Sequence, residues 1–222
     1  MTQLWAVLRK DLLIEWRARA HGVALVSFAI TLLLLFSFAV GPNANVLRAH
    51  ASAYLWMGLV LTSSLQLARS FQVETESNAL DTLVLAPVSP PALFYGKALS
   101  NTLQLFGVGL VSLPAVIALY DVEVKEPAGL LLLTLILGAL GLAAPGTLYA
   151  GLTARLAARQ LMLPLLLFPL VVPCLLAAVK ATTLILQGDP MDQIGSWLTL
   201  LACFDALYWS LCGVLFGKVI DA

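Results

Sequence analysis

The chain has 222 residues, of which 61% are hydrophobic and 11% charged, with a formal net charge of zero and a mean hydropathy of +0.97. Soluble domains average about 45–50% apolar and about 25% charged residues, so a soluble fold would lack the polar surface to cover this apolar mass, and the surplus must face lipid. The balanced charge excludes an electrostatic nucleic-acid binder. Cys174, Cys203 and Cys212 lie in apolar runs and read as small hydrophobic residues rather than a disulfide framework.

Residues 2–20 read as an amphipathic helix lying on the membrane surface, with Leu4, Leu8, Leu12 and Trp16 at four-residue spacing and Arg9, Lys10, Arg17 and Arg19 as its positive charge. An ordinary basic juxtamembrane tail fits the same residues. The apolar run Val23–Val40 exceeds the about 7–15 residues of a signal-peptide core, so it reads as a retained helix. Six spans follow: Gly22–Val40, Ala51–Ala68, Ala98–Tyr120, Ala128–Ala150, Leu161–Leu186 and Trp197–Phe216. Each has about the 20 residues that cross a bilayer. With the N-terminus inside, nine of the twelve Lys and Arg residues fall on the cytoplasmic side, which places both termini there. The whole of 1–222 is one membrane domain, with short outward loops and one substantial cytoplasmic connection, Arg69–Lys97.

That connection carries its own helix punctuation. Asn78 caps a helix starting at Ala79, Asp81 makes a capping-box variant, Leu80, Leu83 and Val84 share a face, and Pro87 stops it. Ser89-Pro90 starts a second helix that carries Phe94, Tyr95 and Lys97 into the third span. A short capped helix with apolar anchors and an acidic rim from Glu74, Glu76 and Asp81 suits docking to a soluble partner. The bland reading has its apolar residues dipping into the headgroups, which the acidic rim opposes.

Within the spans, Asp205 is a costly carboxylate and therefore a functional candidate. Counting inward from the outer ends puts Lys180 and Asp205 at similar depths, about 10–12 Å. They either pair, or face a polar cavity, or act separately, with Lys180 snorkelling and Asp205 bonding across a helix contact. Pro164, Pro169 and Pro173 make a straight fifth span improbable, either broken along a cavity or plainly kinked to fit its packing, and Pro145-Gly146 predict a kink in the fourth. Ala139/Ala143 and Gly146/Ala150 give small-xxx-small spacing for close helix contact, either within the chain or as a homodimer seam. His21 and His50 flank the first two spans at opposite faces, where an interfacial role or ligation of a metal or haem iron would both fit. No CxxC, HExxH or GxxxxGK[ST] occurs, so a metal site is not expected and any ATP hydrolysis belongs to another subunit.

The sequence Phe71…Glu74…Asn78-Ala79-Leu80-Asp81-x-Leu83-x-Leu85-x-Pro87 running on to Lys97, with Ala144-Pro145-Gly146, Leu163-Pro164 and Pro169-Leu170-x-x-Pro173, resembles the haem exporter protein B family (CcmB) over nearly the whole chain. The family often has Gly at the place of Asn78 and Glu at that of Asp81; Asn tolerates the same left-handed backbone, and Asp keeps the charge. The resemblance implies an ABC-2-like permease subunit of the bacterial inner membrane serving cytochrome c biogenesis. Two copies would join two soluble ABC ATPases and further haem-handling membrane subunits, with haem as the molecule handled. It also makes Glu74, Glu76, Asp81, Leu83 and Pro87 the coupling element, with Pro169, Pro173, Lys180 and Asp205 as candidates inside the membrane. The rival expectations are an exporter of another small molecule or lipid, a passive scaffold, and a proton-coupled carrier relying on Asp205.

Overall fold

The computed structural model describes residues 2–72, 89–154 and 159–220, and these form seven helices and no strand. In chain order they are α1 Thr2–Arg17, α2 Arg19–Val40, α3 Ala44–Ser70, α4 Pro90–Tyr120, α5 Ala128–Thr153, α6 Arg159–Gln187 and α7 Ile194–Ile220. Local chemistry sets their ends. Gly41 stops α2 at φ 73°, a conformation that costs glycine nothing, and its N–H donates to the Ser37 carbonyl at 3.1 Å. The Asn43 side chain caps α3, Pro90 and Pro91 open α4, and the Ile194 N–H at the start of α7 donates to Asp189 Oδ2 at 2.7 Å.

Five helices, α2, α4, α5, α6 and α7, are long and apolar enough to cross a membrane. The second of the six expected spans, within α3, differs. That helix has 27 residues, but its sequence includes Arg48, His50, Ser52, Thr62, Ser63, Ser64, Gln66 and Arg69. Between the second and third expected spans, the structure shortens the connection at both ends. Helix α3 persists to Ser70, and the helix begun at Pro90 fuses with the third span into one 31-residue helix. Ser89 occupies the cap position as expected, yet its hydroxyl makes no cap bond and donates instead to Gln3 Oε1 at 3.4 Å.

Helix α6 is not broken: it runs continuously through Pro164, Pro169 and Pro173, which leaves the kinked alternative. Its buried stripe, Leu163, Leu167, Val171, Cys174, Ala178 and Ile185, keeps helical spacing throughout. Pro169 and Pro173 fall on the exposed side. Pro145 likewise lies inside a continuous α5.

Helix α5 is the centre of the bundle, packing against α3, α4, α6 and α7. It does so by presenting residues with little or no side chain. Ala139, Ala143, Ala144, Gly146 and Ala150 are all buried within the chain, so the small-residue spacing serves internal contacts rather than a homodimer seam. A Cβ at Gly138 would stand 2.0 Å from the Trp56 ring of α3, one at Gly141 2.4 Å from Cys174 Sγ of α6, and one at Gly146 2.3 Å from Leu67 of α3. In lipid the hydrophobic effect does not draw helices together, so close dispersion contact of this kind is the main cohesive term.

Gly138→Ala is therefore expected to destabilise the detergent-solubilised protein by about 1–3 kcal/mol, the usual cost of overpacking against a ring that cannot yield. Gly107→Ala, where a Cβ meets nothing within 4 Å, is the control and should leave the thermal midpoint unchanged or raised. Equal midpoints for both variants would remove α5 from its central role.

Candidate functional site

Helices α3 and α4 flank residues 73–88, and polar side chains gather where these two helices and α1 meet. Lys97 is 1% exposed. Its ammonium donates to the Ser70 carbonyl at 2.8 Å, pairs with Asp11 at 3.4 Å and lies 4.7 Å from the centre of the Phe71 ring. An ammonium this deep requires a carboxylate, a carbonyl dipole or an aromatic face to replace its lost hydration, and Lys97 has all three. Asp11 also pairs with Lys10 at 3.0 Å. One turn further along α4, Asn101 donates to Thr147 Oγ1 of α5 at 2.9 Å and to Ser70 Oγ at 3.2 Å. Gln66 of α3 donates to Gln104 of α4. A polar cleft lined by Asp11, Glu15, Gln66, Arg69, Ser100, Asn101 and Gln104 opens between the three helices.

Helix α1 meets this junction with one face only. Val7 and Leu8 are buried, whereas Trp5, Leu13 and Trp16 are exposed. Of the expected apolar series, Trp16 thus looks away from the bundle. The acidic residues Asp11 and Glu15 point into the cleft, which leaves an outward surface of tryptophan, leucine and arginine, with Arg19 5.6 Å above the Trp16 ring.

Asp205 occupies a different place, mid-bundle, where α5, α6 and α7 cross. It is 7% exposed, and neither carboxyl oxygen has a hydrogen-bond partner among the described residues. A Cβ on Gly141 would lie 3.0 Å from Asp205 Oδ1 and 2.4 Å from Cys174 Sγ, so the missing side chain makes the room that the carboxyl occupies. Asp205 and Lys180 do not meet: Lys180 is exposed, and no ion pair joins it to Asp205 among the described residues. Helix α7 begins at Ile194, three residues before the expected end, which sinks Asp205 by about 4.5 Å, half of the observed offset. Cys174, not Lys180, is the α6 residue at its level, about 9 Å further in for six helical residues.

At the opposite end, Arg48 pairs with Asp121 and its Nε donates to the Asp121 carbonyl at 2.7 Å. Lys125 and Glu126 donate backbone N–H bonds to the Ile185 carbonyl at 3.3 and 3.2 Å. His50 is exposed and shares Nδ1 with the Val46 carbonyl at 3.0 Å, whereas His21 Nε2 is buried with no hydrogen-bond partner among the described residues. No group of three or more His, Cys, Asp or Glu side chains among the described residues could hold a metal ion. The expected coupling residues Glu74, Glu76, Asp81, Leu83 and Pro87 lie outside the described residues.

Sequence reasoning missed the Lys97 junction, since Lys97 entered it as a cytoplasmic positive charge and as the end of the connection, with no partner assigned to it. Its partners sit 86 and 27 residues away, and no local pattern announces them. The one available signal was a lysine placed among Phe94, Tyr95 and Ala98 at the head of an apolar helix.

Five long apolar helices and a glycine-faced centre define a multi-pass helical membrane protein. The chain belongs to the CcmB protein family, which it matches over residues 2–218. It is 37% identical to "Heme exporter protein B" of Rhodobacter capsulatus over 177 residues, covering 77% of this chain and 78% of that protein. It is 34% identical to the protein of that name from Paracoccus denitrificans over 192 residues, covering 85% and 87%. Its identity to the one from Bradyrhizobium diazoefficiens is 31% over 192 residues, covering 86% of each.

Burial in the cleft pushes the Glu15 carboxyl above its ordinary value, with Arg69 opposing and Asp11 adding to the rise. A raised carboxyl binds more protons in the folded state, so its contribution to stability falls as pH rises from the ordinary carboxylate range, about 4, through the raised value. Glu15→Gln should therefore melt above the wild type at pH 8, and the two proteins should converge near pH 4. A Glu15→Gln protein less stable than wild type at pH 8 would contradict this assignment.

Proposed function

We propose that this chain is the permease subunit of an ABC-type assembly in which a soluble ATPase supplies energy and haem, for cytochrome c biogenesis, is the molecule handled. The observation that carries this reading is the family match over residues 2–218, joined to relatives named "Heme exporter protein B". The lack of a GxxxxGK[ST] motif in the chain fits a division of labour in which the nucleotide is bound elsewhere.

On this reading α3 is the sixth span of an ABC-2-like fold. At about 1.5 Å per residue its 27 residues reach about 40 Å, enough for a bilayer core of about 30 Å. Its polar groups are used inside the bundle: Ser52 shares a 2.5 Å hydrogen bond with Thr183, Trp56 Nε1 donates to Thr182 Oγ1 at 2.9 Å, and Gln66 binds Gln104. Six spans put both termini on the cytoplasmic face of the bacterial inner membrane, together with residues 73–88. Glu74, Glu76, Asp81, Leu83 and Pro87 then form the element that receives the ATPase, and two copies of the chain pair with two ATPases. Further haem-handling membrane subunits complete the assembly, and α1 lies in the membrane interface, Trp5 and Trp16 facing lipid.

Replacing Glu74 and Asp81 together by Lys should leave the chain in the membrane and the ATPase hydrolysing ATP. Mature cytochrome c should fall by about tenfold or more, a loss of about 1.4 kcal/mol in coupling. Cytochrome c production at the wild-type level in that variant would refute the coupling role.

A further inference from the structure

We infer that Lys97 is a positioning residue that fastens both ends of segment 73–88 to α1, so that α1 and the first turns of α4 move as one body. The inference rests on the reading of that segment as the ATPase-facing connector and names where its force goes.

Three attachments support it. At the near end of the segment, Lys97 gathers the Ser70 carbonyl at 2.8 Å and the Phe71 ring at 4.7 Å, and reaches Asp11 of α1 at 3.4 Å. At the far end, Gln3 Oε1 of α1 accepts from Ser89 N at 3.3 Å and from Ser89 Oγ at 3.4 Å. Between them α1 sits in a notch at Gly96, where a Cβ would come 2.8 Å from Val7 Cβ and 3.2 Å from the Leu4 carbonyl. The three contacts span Gln3 to Asp11, about 12 Å of helix, and α1 packs much more extensively on α4 than on α2.

The contacts differ in strength. Gln3–Ser89 is a neutral, exposed contact that water can replace. Lys97 is 1% exposed, and separating it from Asp11 would take a carboxylate away from a buried ammonium, the costly way to break a buried pair. The ion pair therefore holds while the segment is displaced, and α1 is carried along.

The test uses the full chain in native membranes with Cys203, the exposed native thiol, replaced by Ala. Gln3→Cys and Ser89→Cys are then joined by a short bis-maleimide. Lys97→Met should slow cross-linking by about fivefold or more and lower cytochrome c maturation by about tenfold, with ATPase activity within about twofold of wild type. Asp11→Asn should act in the same direction, and Lys97→Arg, which keeps the charge, should restore both readouts to within about threefold. Cross-linked protein should still support maturation, because the joined residues do not move apart. Wild-type cross-linking in Lys97→Met and Asp11→Asn, or loss of maturation on cross-linking alone, would overturn the inference. If Lys97→Met fails to insert, Asp11→Asn and the cross-link decide the matter. The cross-linking rate needs no ATPase, so a wild-type protein that purifies without one would count against the proposed function and leave this readout standing.

Discussion

Three carbon atoms that are absent from α5 hold the rest of the molecule in place. Gly138, Gly141 and Gly146 receive Trp56, Cys174 and Leu67 at distances no side chain would permit. A lipid-embedded helix gains little by exchanging lipid tails for a neighbour's leucines, so density of contact has to supply the cohesion. Close approach of α3 also has an electrostatic consequence. It brings Trp56 within 2.9 Å of Thr182 and Ser52 within 2.5 Å of Thr183, and a helix too polar for lipid becomes tolerable inside the bundle.

The hydroxyl groups divide into two populations. Thr62, Thr102, Thr134 and Thr153 return their protons to the carbonyl four residues back, which satisfies them without help from tertiary structure. A smaller set crosses between helices: Trp56 to Thr182, Asn101 to Thr147, and Tyr120 to the Leu33 carbonyl at 2.8 Å. These directional bonds fix the vertical register of α2, α3, α4, α5 and α6, which dispersion between leucines alone would leave free to slide. Asp205 belongs to neither population, and its solitary position at the α5–α6–α7 crossing is the strongest departure from the rule that buried polar groups are paired.

How much of this could be read from the sequence depended on whether the signal was local. Hydropathy runs placed the helices, and Gly41, Pro90 and Pro127 marked where they stop or start. Which helix lies in the middle was not legible, because a leucine facing lipid and a leucine facing protein look alike in a one-dimensional pattern. The small residues of α5 were visible, but whether they meet another copy or their own chain is a question of tertiary arrangement. The prolines of α6 show the same limit: each removes one local hydrogen bond, and whether the helix then breaks or runs on is decided by the packing of its neighbours, as the continuous α6 shows. Lys97 and Asp11 carry opposite charges 86 residues apart, a separation over which sequence spacing says nothing. The coarse statement, a helical membrane bundle with one substantial connection, needed only composition and order.

The connections at the two ends of the bundle are unequal. Opposite the Lys97 junction, α2 and α3, α4 and α5, and α6 and α7 are joined by turns of three, seven and six residues. There Arg48 grips Asp121, and the Ile185 carbonyl accepts from Lys125 and Glu126. At the junction end, 19 residues separate α3 from α4. The same end also holds the five-residue connection of α5 to α6, and the turns at the opposite, riveted end fix the helices they join. Helix α4, with 31 residues, is a lever arm of about 46 Å. Pivoting it by about 5° at the riveted end would swing Pro90 through about 4 Å, with almost no displacement at Asp121.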